Sequence, residues 1–86
     1  MQVIYHNRFV KMYRKTPTKI QRKFEACIIT FHKNPFDRTL ENHLLHGKWN
    51  GFRSIDITGD WRAIYLEVGE SSAEFYAIGT HDQLYK

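Results

Sequence analysis

"GFRSIDITGDWRAIYLEVGESSAEFYAIG", residues 51–79, is the stretch on which the fold turns. It holds three runs rich in β-branched and aromatic residues, Gly51–Ile57, Asp60–Val68 and Ser72–Gly79, each bounded by turn formers. Thr58-Gly59 separates the first pair and the Gly-Glu-Ser-Ser run beginning at Gly69 separates the second. Gaps this short admit hairpin connections, so the three runs predict an antiparallel meander.

Working toward the N-terminus, "QVIY" at residues 2–5 reads as a short strand, and His6-Asn7 opens a short helix with Phe9, Val10 and Tyr13 on one face. "KTPTKIQRKFEACIITFHKNP", residues 15–35, carries the clearest helical period: Ile20, Phe24, Cys27, Ile28 and Phe31 form one stripe. Thr16 is the expected N-cap, Pro17 the first helical residue, and Asn34-Pro35 the stop. "NPFDRTLENHLLHGKWNG", residues 34–51, reads as a connector with a few anchoring apolar side chains. The order predicts an α+β fold: an N-terminal strand, two helices, then antiparallel strands, with the helices on one sheet face and the other face free.

At 86 residues the chain supports one domain spanning 1–86, and its 42% hydrophobic and 15% aromatic content suffices for a core. Cys27 stands alone, which excludes an internal disulfide and a thiolate zinc site. No leader-like start and no apolar run of membrane-spanning length appears, so a cytoplasmic location with no membrane partner is expected. The net charge of +4 favours phosphate or an acidic protein as partner. The excess sits in residues 1–33, where Arg8, Lys11, Arg14, Lys15, Lys19, Arg22, Lys23 and Lys33 face a single acid, Glu25. A solvated helix face accounts for those cations as readily as RNA contact does.

His43 and His46 have a spacing that suggests a metal pair, but zinc sites need three or four ligands and no companion motif is present. Neither a metal nor a cofactor is expected. There is no nucleophile elbow, no phosphate-cradling glycine loop and no carboxylate pair suited to glycoside hydrolysis. What remains is a set of groups in "HLLHGKWNGFRS", "GDWRAIY" and "GTHDQLY". Histidine exchanges protons near neutrality, arginine stabilises developing phosphate charge, and Trp and Tyr offer stacking surfaces to bases. These are the parts of a metal-free ribonuclease in which the substrate's 2′-hydroxyl attacks, with His46, Lys48 and Arg53 as candidate RNA contacts. Two plainer readings stay open: Trp49 and Trp61 as core residues, and the histidines as surface groups of a structural domain.

"HLLHGKWNGFRSIDITGDWRAIYLE" (43–67) followed by "FYAIGTHDQLY" (75–85) resembles the RelE superfamily of type II toxins, in particular its YafQ branch. That branch shows His-x-Leu, Gly-x-Trp-x-Gly-Tyr-Arg, Asp-Trp before a strand, and Gly-Thr-His-x-x-Leu-Phe. The resemblance implies a microbial RNase-like (RelE-like) toxin fold and an mRNA interferase, a metal-independent endoribonuclease that cleaves mRNA on the ribosome. It also implies an acidic, partly disordered cognate antitoxin as partner. By position it assigns His43, Asp60, Trp61, His81 and Tyr85 to the site, Tyr85 replacing the usual Phe, while Arg62 matches the arginine of the RelE branch proper. The implied base is His81 or Asp60, the implied acid His43 or His81; Arg62 would stabilise the phosphate, with Trp61 and Tyr85 holding bases.

Two positions depart from the pattern: Asp56 stands where the YafQ branch has a histidine, and Ala77 where it has an arginine. They support an alternative, a catalytically weakened module that only binds antitoxin or RNA. Arg62 is expected to substitute for the arginine missing at Ala77. Strand alternation groups Arg62 with Ile64 and Leu66 and would turn it toward the helices, so a bulge at Thr58-Gly59 is expected to redirect it. His81, Asp82 and Tyr85 would then form the last wall of the site.

Overall fold

A computed structural model describes residues 1–86. Strand β1 (Gln2–Tyr5) leads into helices α1 (Asn7–Arg14) and α2 (Thr18–Lys33); after a connector come β2 (His43–Leu44), β3 (Arg53–Asp56), β4 (Trp61–Val68) and β5 (Ser72–Thr80), and a short helix α3 (His81–Tyr85). The sheet order is β1-β5-β4-β3-β2, with β1 parallel to β5 and every other neighbour antiparallel. The α+β architecture expected from the sequence is the one found. No helix is long and apolar enough to cross a membrane.

The α2 stripe explains the core. Ile20, Phe24 and Phe31 are buried, with Cys27 and Ile28 partly so, against Ile55, Tyr65, Ala73 and Phe75 of the sheet. Phe31 meets Tyr65 edge-on at 5.1 Å and Phe24 meets Phe75 at 5.7 Å, the edge-to-face geometry that aromatic quadrupoles prefer. Each such ring contributes roughly 1.5–3 kcal/mol on burial.

Four local expectations are corrected. Thr16 is not the N-cap of α2: it is buried and its hydroxyl donates to the Met12 carbonyl at 2.9 Å, closing the last turn of α1. Pro17 takes the cap, its carbonyl accepting from the Ile20 and Gln21 amides. The connector is not featureless, since it contains 3-10 turns at Arg38–Leu40 and Gly47–Trp49 besides β2. These pieces of two or three residues carry no periodicity, and pairing with β3 and packing create them.

The face opposite the helices is not free either. Leu45, Trp49, Ile64, Ala77 and Leu84 form a second apolar cluster there, contributed partly by α3. Finally, the parity of β4 is the reverse of that expected. Ala63 and Tyr65 belong to the helix-side core and Trp61 packs against it, whereas Ile64 belongs to the second cluster. Arg62 therefore points away from the helices with no bulge at Thr58-Gly59. The bulge lies elsewhere: Ile64 pairs with Ala77 and Tyr65 with Phe75, leaving Tyr76 as the extra residue. A one-residue slip of β4 would expel Tyr65, the largest fully buried side chain, from the core, and that fixes the parity.

Candidate active site

On the face away from α1 and α2, a cleft of about 450 Å³ opens between the end of the sheet, the connector and α3. Arg62 and Asp56 line it from the strands, Glu41, His43 and Leu45 from the connector, and His81 and Tyr85 from α3. A larger hollow, about 880 Å³ between Asn34 and Asn42, holds no histidine. Proton-transfer chemistry is therefore concentrated in the smaller cleft.

Helix α3 is only five residues long, too short to be stable by itself, and four contacts fix it. Thr80 and Gln83 form a capping box: the Gln83 amide donates to Thr80 Oγ1 at 3.2 Å and the Thr80 amide to Gln83 Oε1 at 2.9 Å. The His81 amide donates to the Asp60 carbonyl at 2.9 Å. Trp49 Nε1 donates to the Leu84 carbonyl at 2.7 Å, and Leu84 itself is buried. Gly79 allows the box to close, since a Cβ there would stand 2.9 Å from Gln83 Oε1. With the helix anchored, His81 remains largely exposed and its ring lies 4.7 Å from that of Tyr85.

His43 is set by its two predecessors. Asn42 is a hub: its Nδ2 donates to the Pro35 carbonyl at 2.8 Å and to the Tyr65 hydroxyl at 2.7 Å, and its Oδ1 accepts from Arg53 Nε at 2.8 Å. Glu41 takes a left-handed conformation with φ 50°, unusual for a residue with a side chain. Its carbonyl lies 2.8 Å from His43 Nδ1. A carbonyl only accepts, so Nδ1 carries the proton in this contact.

Arg62 is held at three points. Nε lies 2.8 Å from Asp56 Oδ1, and Nη1 donates to the carbonyls of Thr58 at 3.0 Å and Trp61 at 3.2 Å. Asp56 and Arg62 are direct cross-strand partners, so register alone brings them together. Burial pushes the Asp56 carboxyl above the usual carboxylate range; the nearby Arg62 guanidinium opposes the rise, Glu41 adds to it and His43 opposes it. An ion pair at 2.8 Å would by itself lower that carboxyl, so here desolvation outweighs attraction.

His43, Arg62, His81 and Tyr85 thus share one cleft, whereas the other residues expected at the site do not line it. Asp60 is exposed in the β3–β4 hairpin, and its carbonyl serves the His81 amide. The Trp61 side chain packs on the helix-side core. Arg53 faces that side too, on Asn42 and 5.1 Å over the Phe36 ring. His46 is exposed ahead of the Gly47–Trp49 turn, and Lys48 reaches the Lys86 carbonyl at 3.3 Å. Ala77, fully buried in the second cluster, leaves no room for the arginine it lacks. Three residues were not foreseen as site residues: Glu41 and Asn42, which carry no motif, and Asp56, noticed only as a departure.

Together the cleft offers two imidazoles, a guanidinium and a partly desolvated carboxylate, a set able to bind an anion and move protons beside it. The fold is shared with solved toxins. YafQ from E. coli strain BL21(DE3) superposes with a TM-score of 0.81 at 21% identity, over 99% of this chain and 98% of that one. The YoeB/ParE toxin from Agrobacterium tumefaciens gives 0.76 at 21% identity, over 94% and 99%. A chain of the E. coli DinJ-YafQ complex gives 0.70 at 21% identity, over 99% and 98%. No curated protein sequence matches the chain. Residues 1–86 match the family described as "Bacterial toxin of type II toxin-antitoxin system, YafQ", and the chain belongs to that family.

Proposed function

We propose that this toxin is a metal-independent endoribonuclease that cleaves mRNA on the ribosome, with the substrate's own 2′-hydroxyl as nucleophile. The observation that carries the reading is the convergence of Arg62 with His43 and His81 in one cleft. The Arg62 guanidinium stabilises the charge that builds on the phosphoryl oxygens, and an imidazolium supplies the proton that the departing 5′ oxygen needs. Tyr85, beside His81, gives a splayed base a surface to stack on.

The partner is an acidic antitoxin; its structural relatives include chains of the E. coli DinJ-YafQ and the RelBE2 toxin-antitoxin complexes. Eight cations against one acid in residues 1–33 draw such a chain in, and its association rate falls as salt rises. A binding-only module is the competing reading, favoured by the Asp56 carboxylate that holds Arg62 Nε.

Induction in cells and primer extension of mRNA in a translating extract separate the two. Growth arrest with discrete cleavage, retained when EDTA is added at constant free Mg²⁺, is the expected result. Growth arrest without cleavage leaves binding alone, and activity restored only by zinc or manganese overturns the metal-free mechanism.

A further inference from the structure

We propose that Asp56 is the general base of this reaction, accepting the 2′-hydroxyl proton while Arg62 holds it beside the phosphate. The inference rests on the ribonuclease reading and adds a residue that neither the motif order nor the family match assigns. In-line attack brings the 2′ oxygen to within about 3–3.5 Å of phosphorus, so the base and the phosphate-binding cation must be neighbours. Asp56 and Arg62 are such neighbours, with Oδ1 and Nε 2.8 Å apart. Both residues line the cleft, and the backbone carbonyls of Thr58 and Trp61 hold Arg62 through Nη1.

The other carboxylates fit less well. Asp60 is exposed outside the cleft, and Glu41 is exposed at its rim on the left-handed turn. A hydrated carboxylate is a weak base at neutrality, whereas burial makes Asp56 more basic than an ordinary aspartate. The groups that face it are Glu41 and His43 from the connector and β2, Arg62 from β4, and His81 and Tyr85 across the cleft. Behind it, the Cys27 thiol of α2 donates to the Asp56 carbonyl at 3.6 Å.

The step balances without a further reactant. The Asp56 carboxylate takes the 2′-hydroxyl proton as the 2′ oxygen bonds to phosphorus. The bond from phosphorus to the 5′ oxygen breaks, and that oxygen takes a proton from the imidazolium of His81 or His43. The products are a 2′,3′-cyclic phosphate and a 5′-hydroxyl end.

The test is single-turnover cleavage of mRNA in translating extract by the full chain, wild type beside Asp56→Asn and Asp56→Glu, across pH. Asparagine keeps the volume and can still accept from Arg62 Nε, so a melting curve near that of wild type is expected. Asp56→Asn should lose about 10²–10⁴-fold in rate together with the acidic limb of the pH profile, and Asp56→Glu should keep that limb. If the Asn variant does not fold, Asp56→Ser gives the same readout with a smaller side chain. Cleavage by Asp56→Asn at near wild-type rate overturns the assignment and leaves the ribonuclease standing. So does a slower variant with an unchanged pH profile, which would make Asp56 a positioning residue for Arg62. A wild-type chain that cleaves nothing overturns both readings.

Discussion

Arg62→Ala removes three hydrogen bonds at once: to Asp56 at 2.8 Å, to the Thr58 carbonyl at 3.0 Å and to the Trp61 carbonyl at 3.2 Å. The two side chains of the ion pair are 17% and 25% exposed, so water screens part of the loss. Asp56 is already raised by burial and can take up a proton once its partner has gone, which limits the loss further. A net destabilisation of about 1–2 kcal/mol follows, or roughly 5–15 °C in melting temperature for a domain of this size. If Arg62 carries the phosphate as proposed, the effect on cleavage is larger, because removing a donor from the transition state costs about 3 kcal/mol, near 150-fold in rate.

Thermal melts and single-turnover cleavage well below the transition read the two effects separately. Arg62→Lys should recover only part of the rate, since one ammonium cannot hold Asp56 and the phosphate with a rigid fork. Adding Ala77→Arg to Arg62→Ala should not rescue activity. Ala77 is fully buried with Ile64 and Leu84, and a guanidinium there must be desolvated or must displace α3. Full cleavage by Arg62→Ala with a lowered melting temperature would reduce Arg62 to a structural clamp. An unchanged rate and an unchanged melt would refute the reasoning entirely.

His81→Ala should lose roughly 10²–10⁴-fold in cleavage while shifting stability by less than about 0.5 kcal/mol, because the side chain is 61% exposed; chemical denaturation beside the cleavage assay checks both. Gly79→Ala should break the capping box, costing about 1 kcal/mol and reducing cleavage through a loosened α3, seen as faster amide exchange at residues 81–85. The raised Asp56 carboxyl binds its proton more tightly in the folded chain than in the unfolded one. Its contribution is therefore complete below the unfolded value of about 3.9 and is lost as pH rises through the folded one. The melting temperature of Asp56→Asn minus that of wild type should thus increase from acid toward neutral pH, and a flat or falling difference would contradict the sign.

Local chemistry alone determined much of this protein. The stripe from Ile20 to Phe31 predicts α2, and the β-branched runs separated by Thr58-Gly59 and Gly69 predict three hairpin-connected strands, because period and turn chemistry act over a few residues. The motif order from His43 to Tyr85 carries the family, since it is a string of residue types at set spacings.

What the tertiary structure decided is where those residues meet. Strand parity has only two choices, and the burial of Tyr65 and Ala63 selected the one that turns Arg62 away from the helices. The β3–β4 register placed Asp56 against Arg62, and a departure from the family pattern became a wall of the cleft. Neither β2 nor α3 is long enough to announce itself. The first forms on β3; the second forms because Leu84 buries in the second cluster and Trp49 takes its carbonyl. Spacing placed His43 and His81 in sequence, but contacts between residues far apart along the chain bring them to one cleft.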